Sequence, residues 1–299
     1  MHLPTNQPKT AQNKDMMAYT ALQSDKISVS GVHLEVLRIP ARGASSLPAI
    51  VFLHEGLGSV AMWRDFPQQV CHATGRAGLV YSRRGYGLSD SVPDVRDSGR
   101  LRPDYMQHEA WQVLPELLHA EAITRPILLG HSDGGTIALL HSAKFEVEAC
   151  IVMAPHFFVE DISIAAITQA RQAFESGDLR QRLTKFHANV DCAFWQWNDI
   201  WLSPGFRDFN IEEPCRKITC PLLAIQGLDD PYGTMAQIDA LGDGDINFLS
   251  KNRSSPAKNM PRVLLKLEQC GHSPHRDQPL KVIEAIKLWM ETNRAGLAS

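Results

Sequence analysis

A serine that attacks a carbonyl needs a base to take its proton and an acid to orient that base. This chain of 299 residues carries candidates for all three in separate segments. Ser132 sits in Gly130-His131-Ser132-Asp133-Gly134, between the apolar run Pro126-Ile127-Leu128-Leu129 and a helix-like stretch from Gly135 to Leu140. A G-x-S-x-G placed between strand and helix forces a tight turn, holding the serine in a strained backbone conformation with its Oγ presented above the sheet. The flanking glycines are expected where strand and helix approach so closely that a Cβ would clash. The acid segment is Gln226-Gly227-Leu228-Asp229-Asp230-Pro231, with Asp229 and Asp230 as alternatives. The base segment is Glu268-Gln269-Cys270-Gly271-His272-Ser273-Pro274-His275, with His272 and His275 as alternatives.

Each segment follows a strand-like run, and carboxyl ends of parallel strands are where sheet ligands collect, so the three loops are expected to converge on one crevice. The runs Ala49–Leu53, Gly78–Tyr81, Ile127–Leu129, Cys150–Met153, Leu222–Ile225 and Val263–Leu265 are short and continuously apolar, as suits strands buried on both faces. Helical patterning lies between them near Asp104 to Ala120, Gly135 to Lys144, Thr234 to Leu241 and Gln278 to Thr292. This alternation predicts an α/β fold with a doubly wound, mostly parallel sheet. A hairpin turning at Ser30-Gly31 precedes it.

From Phe157 to Lys217 the rhythm breaks: there is no strand-like run, only helical patterning over Ile162–Phe174, Leu179–Phe186 and Val190–Trp201. The expected organisation is a mobile tail (1–26), a core (27–156 and 218–299) and an inserted helical lid (157–217). Ser250 to Pro261 reads as an exposed loop.

Formal net charge is −3 with 21% charged residues, which gives no basic surface for nucleic acid. No apolar stretch is long enough for a membrane span. The polar first residues carry no apolar signal-peptide core. Six cysteines without C-x-x-C or metal-type spacing fit thiols in a reducing cytoplasm and no metal. The expected partner is a small-molecule substrate; no feature sets an oligomeric state.

Taken together, the segments resemble the α/β-hydrolase superfamily. The likeness is carried by the oxyanion loop His54-Glu55-Gly56-Leu57-Gly58-Ser59, by Arg84-Gly85-Tyr86-Gly87-Leu88-Ser89, by the turn at Ser132, by the G-x-x-D turn Gly227–Asp230 and by Gly271-His272. The resemblance implies Ser132 as nucleophile, Asp230 rather than Asp229 as acid, and His272 rather than His275 as base, with no cofactor. It also implies an oxyanion hole made by the N–H of Asp133 and one from the His54 loop, with Gly56 ahead of Glu55 and Leu57. A serine rather than an aspartate at the turn argues against haloalkane dehalogenase or epoxide hydrolase chemistry.

Two residues depart from the family pattern: Glu55 follows the histidine of the oxyanion loop, and the acidic Asp133 follows the serine. The expectation is that both turn away and bond to loop backbone or to Arg64 and Arg83. The alternative is that one binds a polar or cationic substrate group.

Three of the six tryptophans fall in Phe194–Trp201, and Phe194, Trp197 and Trp201 share a helix face. That face either packs the insertion onto the core or, with His156 and Phe157 at the hinge, lines an apolar substrate pocket. The implied activity is cofactor-independent hydrolysis of a small or medium ester, thioester or lactone. Runners-up are C–C bond hydrolysis, perhydrolase chemistry, and a non-catalytic ligand receptor on the same fold.

Overall fold

Apolar runs become strands here because alternate residues can be buried on opposite faces. In the computed structural model, which describes residues 22–43, 46–242 and 262–293, these strands form one eight-stranded sheet. The chain order begins β1 (Asp25–Val29), β2 (Val32–Ile39), β3 (Ile50–Leu53), α1 (Phe66–Thr74), β4 (Gly78–Tyr81), α2 (Tyr105–His108), α3 (Leu114–Ala120), β5 (Ile127–His131), α4 (Asp133–Ser142) and β6 (Ala149–Met153). It continues through α5 (Asp161–Ser176), α6 (Leu179–Leu183), α7 (Val190–Trp201) and α8 (Glu212–Cys215), then β7 (Leu222–Gly227), α9 (Ala236–Asp239), β8 (Arg262–Leu267), α10 (Pro274–Asp277) and α11 (Pro279–Asn293).

The strand order is β1-β2-β4-β3-β5-β6-β7-β8, antiparallel where β2 meets its two neighbours and parallel from β4 to β8. Val51, Leu53, Leu128, Val152 and Leu222 face one core, beneath α4 and the aromatic residues of α7. Ile50, Phe52, Leu129, Ile151 and Leu223 face the other, against α1 and α11 through Val70 and Trp289. From β3 the chain winds outward to β4 and then returns to β5 on the opposite side. The ends of β3 and β5 therefore flank a topological switch point, where open α/β sheets hold their ligands.

Differences from the sequence reading are local. Strand β1 begins at Asp25, inside the segment 1–26 assigned to a tail, because Asp25 and Lys26 pair with Val36 and Glu35 of β2. Residues 1–21 and the loop reading at Ser250–Pro261 lie outside the described residues. The helix expected over Asp104–Ala120 divides into α2, a wide π-type turn at Glu109–Val113, and α3. Pro115, at the start of α3, has no N–H to continue the regular ladder, and the turn widens just before it.

The excursion between β6 and β7 consists of helices joined by turns and loops, and its one β-type pairing is an isolated bridge, Phe158 to Asn210. Helix α7 is N-capped by Asn189, whose side chain accepts from the Cys192 N–H at 3.0 Å. It is tied to its surroundings through buried Asp199, which accepts from Arg96 Nε at 2.8 Å and from Arg171 Nη2 at 2.7 Å. Among the described residues no helix is long and apolar enough to cross a membrane.

Candidate active site

The turn after β5 is as tight as its glycines require. Ser132 has φ 52° and ψ −121°, a conformation that costs an L-residue about 1–3 kcal/mol. Its N–H is held by the Met153 carbonyl at 2.9 Å, and its own carbonyl opens α4 by accepting from Thr136 at 3.0 Å. A Cβ on Gly130 would fall against the Gly134 carbonyl, and one on Gly134 against the Leu53 carbonyl. All of these atoms are backbone, so nothing flexible can give way. Gly134→Ala is therefore expected to destabilise the protein by about 1–3 kcal/mol, although alanine is the better helix former. Urea unfolding would measure it; an unchanged midpoint would show that β3 can yield.

Three strand ends supply the partners. Ser132 Oγ lies 2.9 Å from His272 Nε2, and His272 Nδ1 lies 2.9 Å from both carboxylate oxygens of Asp230. A carboxylate only accepts, so Nδ1 carries the proton and Nε2 is left to accept from the serine hydroxyl. Burial alone would push the Asp230 carboxyl upward. The bond from His272 and the N–H of Tyr232, 2.8 Å away, outweigh it and hold the group below the usual aspartate range. Asp229 is exposed, with its N–H bonded to the Cys270 carbonyl. His275 is buried against Trp63, Phe66 and His131, and neither ring nitrogen has a hydrogen-bond partner. The thiol of buried Cys270 is pushed up to about 12, chiefly by burial, which leaves it protonated.

The residues expected on the oxyanion side lie at the start of α4 and in the loop after β3. Asp133 is the first residue of α4, so its N–H has no partner within the helix. His54 is buried, with Nδ1 2.7 Å from the Glu55 carbonyl and Nε2 accepting from the Arg83 N–H at 3.0 Å. Arg83 Nη1 donates to the His54 carbonyl at 2.6 Å and Nη2 to the Glu55 carbonyl at 3.0 Å. The α-carbon of Gly56 lies against the indole of Trp197, where any Cβ would collide. Leu57 is half-buried, and its carbonyl accepts from His187 Nε2 at 3.0 Å.

The architecture meets known proteins at this point. A family model described as "Alpha/beta hydrolase family" matches residues 50–285. The chain belongs to the alpha/beta hydrolase family. Mouse (Mus musculus) serine hydrolase BPHL is 37% identical over 128 residues, 42% of this chain and 40% of that protein. The mouse sn-1-specific diacylglycerol lipase ABHD11 is 33% identical over 98 residues, 33% of this chain and 29% of that protein. The chain thus spans less than half the length of these curated relatives. Similar solved structures include a thermophilic esterase from Thermogutta terrifontis, with TM-score 0.63 and 17% identity over 90% of this chain and 98% of that one. Another is the proline iminopeptidase of Mycobacterium smegmatis, with TM-score 0.65 and 15% identity over 92% and 100%. At such identities the likeness is one of fold.

In this α/β-hydrolase the two unusual carboxylates part company. Glu55 turns to Arg276, whose Nη2 lies 3.0 Å from Oε1, with His131 Nδ1 3.4 Å from Oε2. Burial opposes ionisation there, but His131 and Arg276 hold the Glu55 carboxyl well below its ordinary range. The partners expected from sequence, Arg64 and Arg83, are not used by Glu55: Arg64 is exposed, and Arg83 bonds loop carbonyls instead. Asp133 stays beside the serine, accepting from the Tyr105 hydroxyl at 2.6 Å, while Trp201 Nε1 donates to that hydroxyl at 3.1 Å. Its Oδ1 is buried without a hydrogen-bond partner, and burial pushes the Asp133 carboxyl upward against the opposing charge of Arg83.

The aromatic face of α7 divides its rings between two tasks. Phe194 stacks on Phe174 at 3.7 Å and packs the insertion, whereas Trp197 covers the oxyanion loop and Trp201 meets His156 edge-on at 4.9 Å. His156 is buried, its backbone N–H and carbonyl both bonded to Thr136 Oγ1 at 2.9 Å. Burial, followed by the nearby His272, lowers its ring to about 3, so it is neutral. Phe157 is buried in the core and tied to Gln237 through its N–H at 2.7 Å.

Tyr105, His131 and His187 are contacts that sequence reasoning missed, and Arg83, expected there as a partner for the two carboxylates, instead holds the loop carbonyls of His54 and Glu55. Among the described residues no group of three or more His, Cys, Asp or Glu side chains is placed to hold a metal ion.

Proposed function

We propose that this α/β-hydrolase is a cofactor-independent serine hydrolase acting on a small or medium carboxylic ester, thioester or lactone. The observation that carries the reading is the unbroken chain Ser132 Oγ, His272 and Asp230, each link 2.9 Å long. His272 Nε2 takes the hydroxyl proton as Ser132 Oγ bonds to the carbonyl carbon, and the oxyanion is met by the N–H groups of Asp133 and Gly56. Asp230 stabilises the imidazolium. Collapse expels the alcohol, thiol or ring oxygen with the proton from His272 and leaves an acyl group on Ser132. Water then attacks the acyl carbon, gives its proton to His272, and the acid leaves as Ser132 is re-protonated.

Residues 157–217 act in this reading as a lid, with Trp197 and Trp201 as its inner surface. The edge-on contact of Trp201 with His156 and the Trp197 indole against Gly56 support that role. An apolar roof over a single polar corner suits an organic acyl group better than a sugar or peptide.

A fluorophosphonate probe tests the reading directly: it should label Ser132 in the folded protein. Failure to label would favour a receptor built on the same fold. A panel of p-nitrophenyl esters, lactones and acyl thioesters then defines the substrate class.

The free oxygen of Asp133 supports one finer proposal, that the polar corner accepts a hydrogen-bond donor or cation on the substrate. Asp133→Asn should lower kcat/KM on an aminoalkyl ester by about tenfold more than on its neutral isostere, the worth of one hydrogen bond to a charged group. Equal losses on both esters would remove Asp133 from substrate recognition.

A further inference from the structure

We propose that Arg83 is a positioning residue for the oxyanion hole: its guanidinium grips and polarises the Glu55–Gly56 peptide, making the Gly56 N–H a stronger donor to the developing charge. The inference rests on the serine-hydrolase reading above. It begins with connectivity. The carbonyl of Glu55 and the N–H of Gly56 are opposite ends of one planar trans peptide, so they point in opposite directions. Whatever donates to the carbonyl draws electron density through the amide and leaves its N–H more positive, the cooperative effect of linked hydrogen bonds.

That carbonyl is unusually well supplied. It accepts from Arg83 Nη2 at 3.0 Å, from His54 Nδ1 at 2.7 Å and from the Gly58 N–H at 3.0 Å. The His54 bond is itself arranged by Arg83. The Arg83 backbone N–H donates to His54 Nε2, which leaves the ring proton on Nδ1. The second guanidinium arm takes the His54 carbonyl at 2.6 Å, so one residue fixes two consecutive peptides of the loop.

Arg83 also lacks a carboxylate in direct contact: the side chain is buried, and among the described residues no carboxylate forms an ion pair with it within 4.0 Å. The guanidinium carbon lies 5.0 Å from the centroid of the Tyr86 ring. Burial works against the cation, but the surrounding Tyr86, Asp133 and Glu109 raise the guanidinium pKa, and it remains charged. A charge-assisted bond is roughly twice as strong as a neutral one, and the low dielectric of a closed site strengthens it further. Arg84, which opens the R-G-x-G-x-S segment, contributes none of these bonds: its carbonyl accepts from Gln196 of α7 at 3.3 Å.

The test compares wild type, Arg83→Met and Arg83→Lys on p-nitrophenyl butyrate. It adds inhibition by phenylboronic acid, whose tetrahedral adduct on Ser132 puts an anionic oxygen in the hole, and by a neutral planar amide analogue of the substrate. Arg83→Met is expected to lower kcat by about 100-fold and to weaken the boronate by a similar factor, while KM and amide affinity stay within about threefold. Arg83→Lys, which keeps the charge and reaches one carbonyl, should recover about tenfold of both losses. Unchanged boronate affinity, or parallel losses of kcat and amide binding, would reduce Arg83 to a loop clamp and overturn the proposal. If Arg83→Met does not fold, Arg83→Lys decides: wild-type kcat and boronate affinity overturn it, and about tenfold losses in both support it. A wild-type protein that neither cleaves the ester nor binds the boronate overturns the serine-hydrolase reading, and this inference falls with it.

Discussion

Ser132→Ala should lower kcat on a chromogenic ester by about 10⁴- to 10⁶-fold while leaving substrate affinity nearly unchanged. The size of the effect follows from the geometry. Removing Oγ removes the atom that forms the bond, and His272 Nε2 loses its 2.9 Å partner. Residual turnover would come from water attacking a carbonyl still held by the oxyanion donors. The variant should fold at least as well as wild type in overall shape, because the Ser132 N–H and carbonyl bonds that form the turn belong to the backbone. Steady-state kinetics together with the fluorophosphonate label make the comparison. A variant with full activity would remove Ser132 from the chemistry.

Asp230→Asn should cost about 10⁴-fold in kcat. The amide can donate to His272 Nδ1 and so favours the tautomer with its proton on Nε2, which cannot accept from Ser132. The same residue sets a pH dependence of stability. Its carboxyl is held below the ordinary value of about 3.9, so it adds stability above that value and loses it as pH falls through the lower, folded value. The gap between the denaturation midpoints of wild type and Asp230→Asn should therefore be wide near neutrality and narrow on acidification. A gap that stays constant down to pH 2 would mean that the Asp230–His272 contact contributes nothing to folding.

The strands could be read from the sequence because burial on both faces leaves continuous apolar runs, and each such run became a strand. Helix α7 spans the residues its pattern predicts, since Phe194, Trp197 and Trp201 mark one face; the Asn189 cap that fixes its start was not read from the sequence. The glycine-flanked serine could be read because steric exclusion at Gly130 and Gly134 leaves no other residue type that fits. The partners of Glu55 were hidden for the opposite reason. Arg276 lies 221 positions away, on α10, and only the closing of β8 against β7 brings it near. Tyr105 was equally invisible. Its hydroxyl reaches Asp133 across 28 positions, through packing that no local pattern encodes.

His131 is the quiet neighbour of Ser132, the nucleophile of the proposed reaction. A carbonyl only accepts, so the ring must donate its Nε2 proton to the backbone oxygen of His272 across 2.7 Å. The end of β5 is thereby stitched to the loop after β8 through atoms that take no part in the proton's journey. When the base gains charge and later gives it up, this seam feels no change in bonding. In the proposed reaction the distance between Ser132 and His272 is thus fixed by a joint indifferent to the chemistry, where a misplacement of about 1 Å can cost about 100-fold in rate.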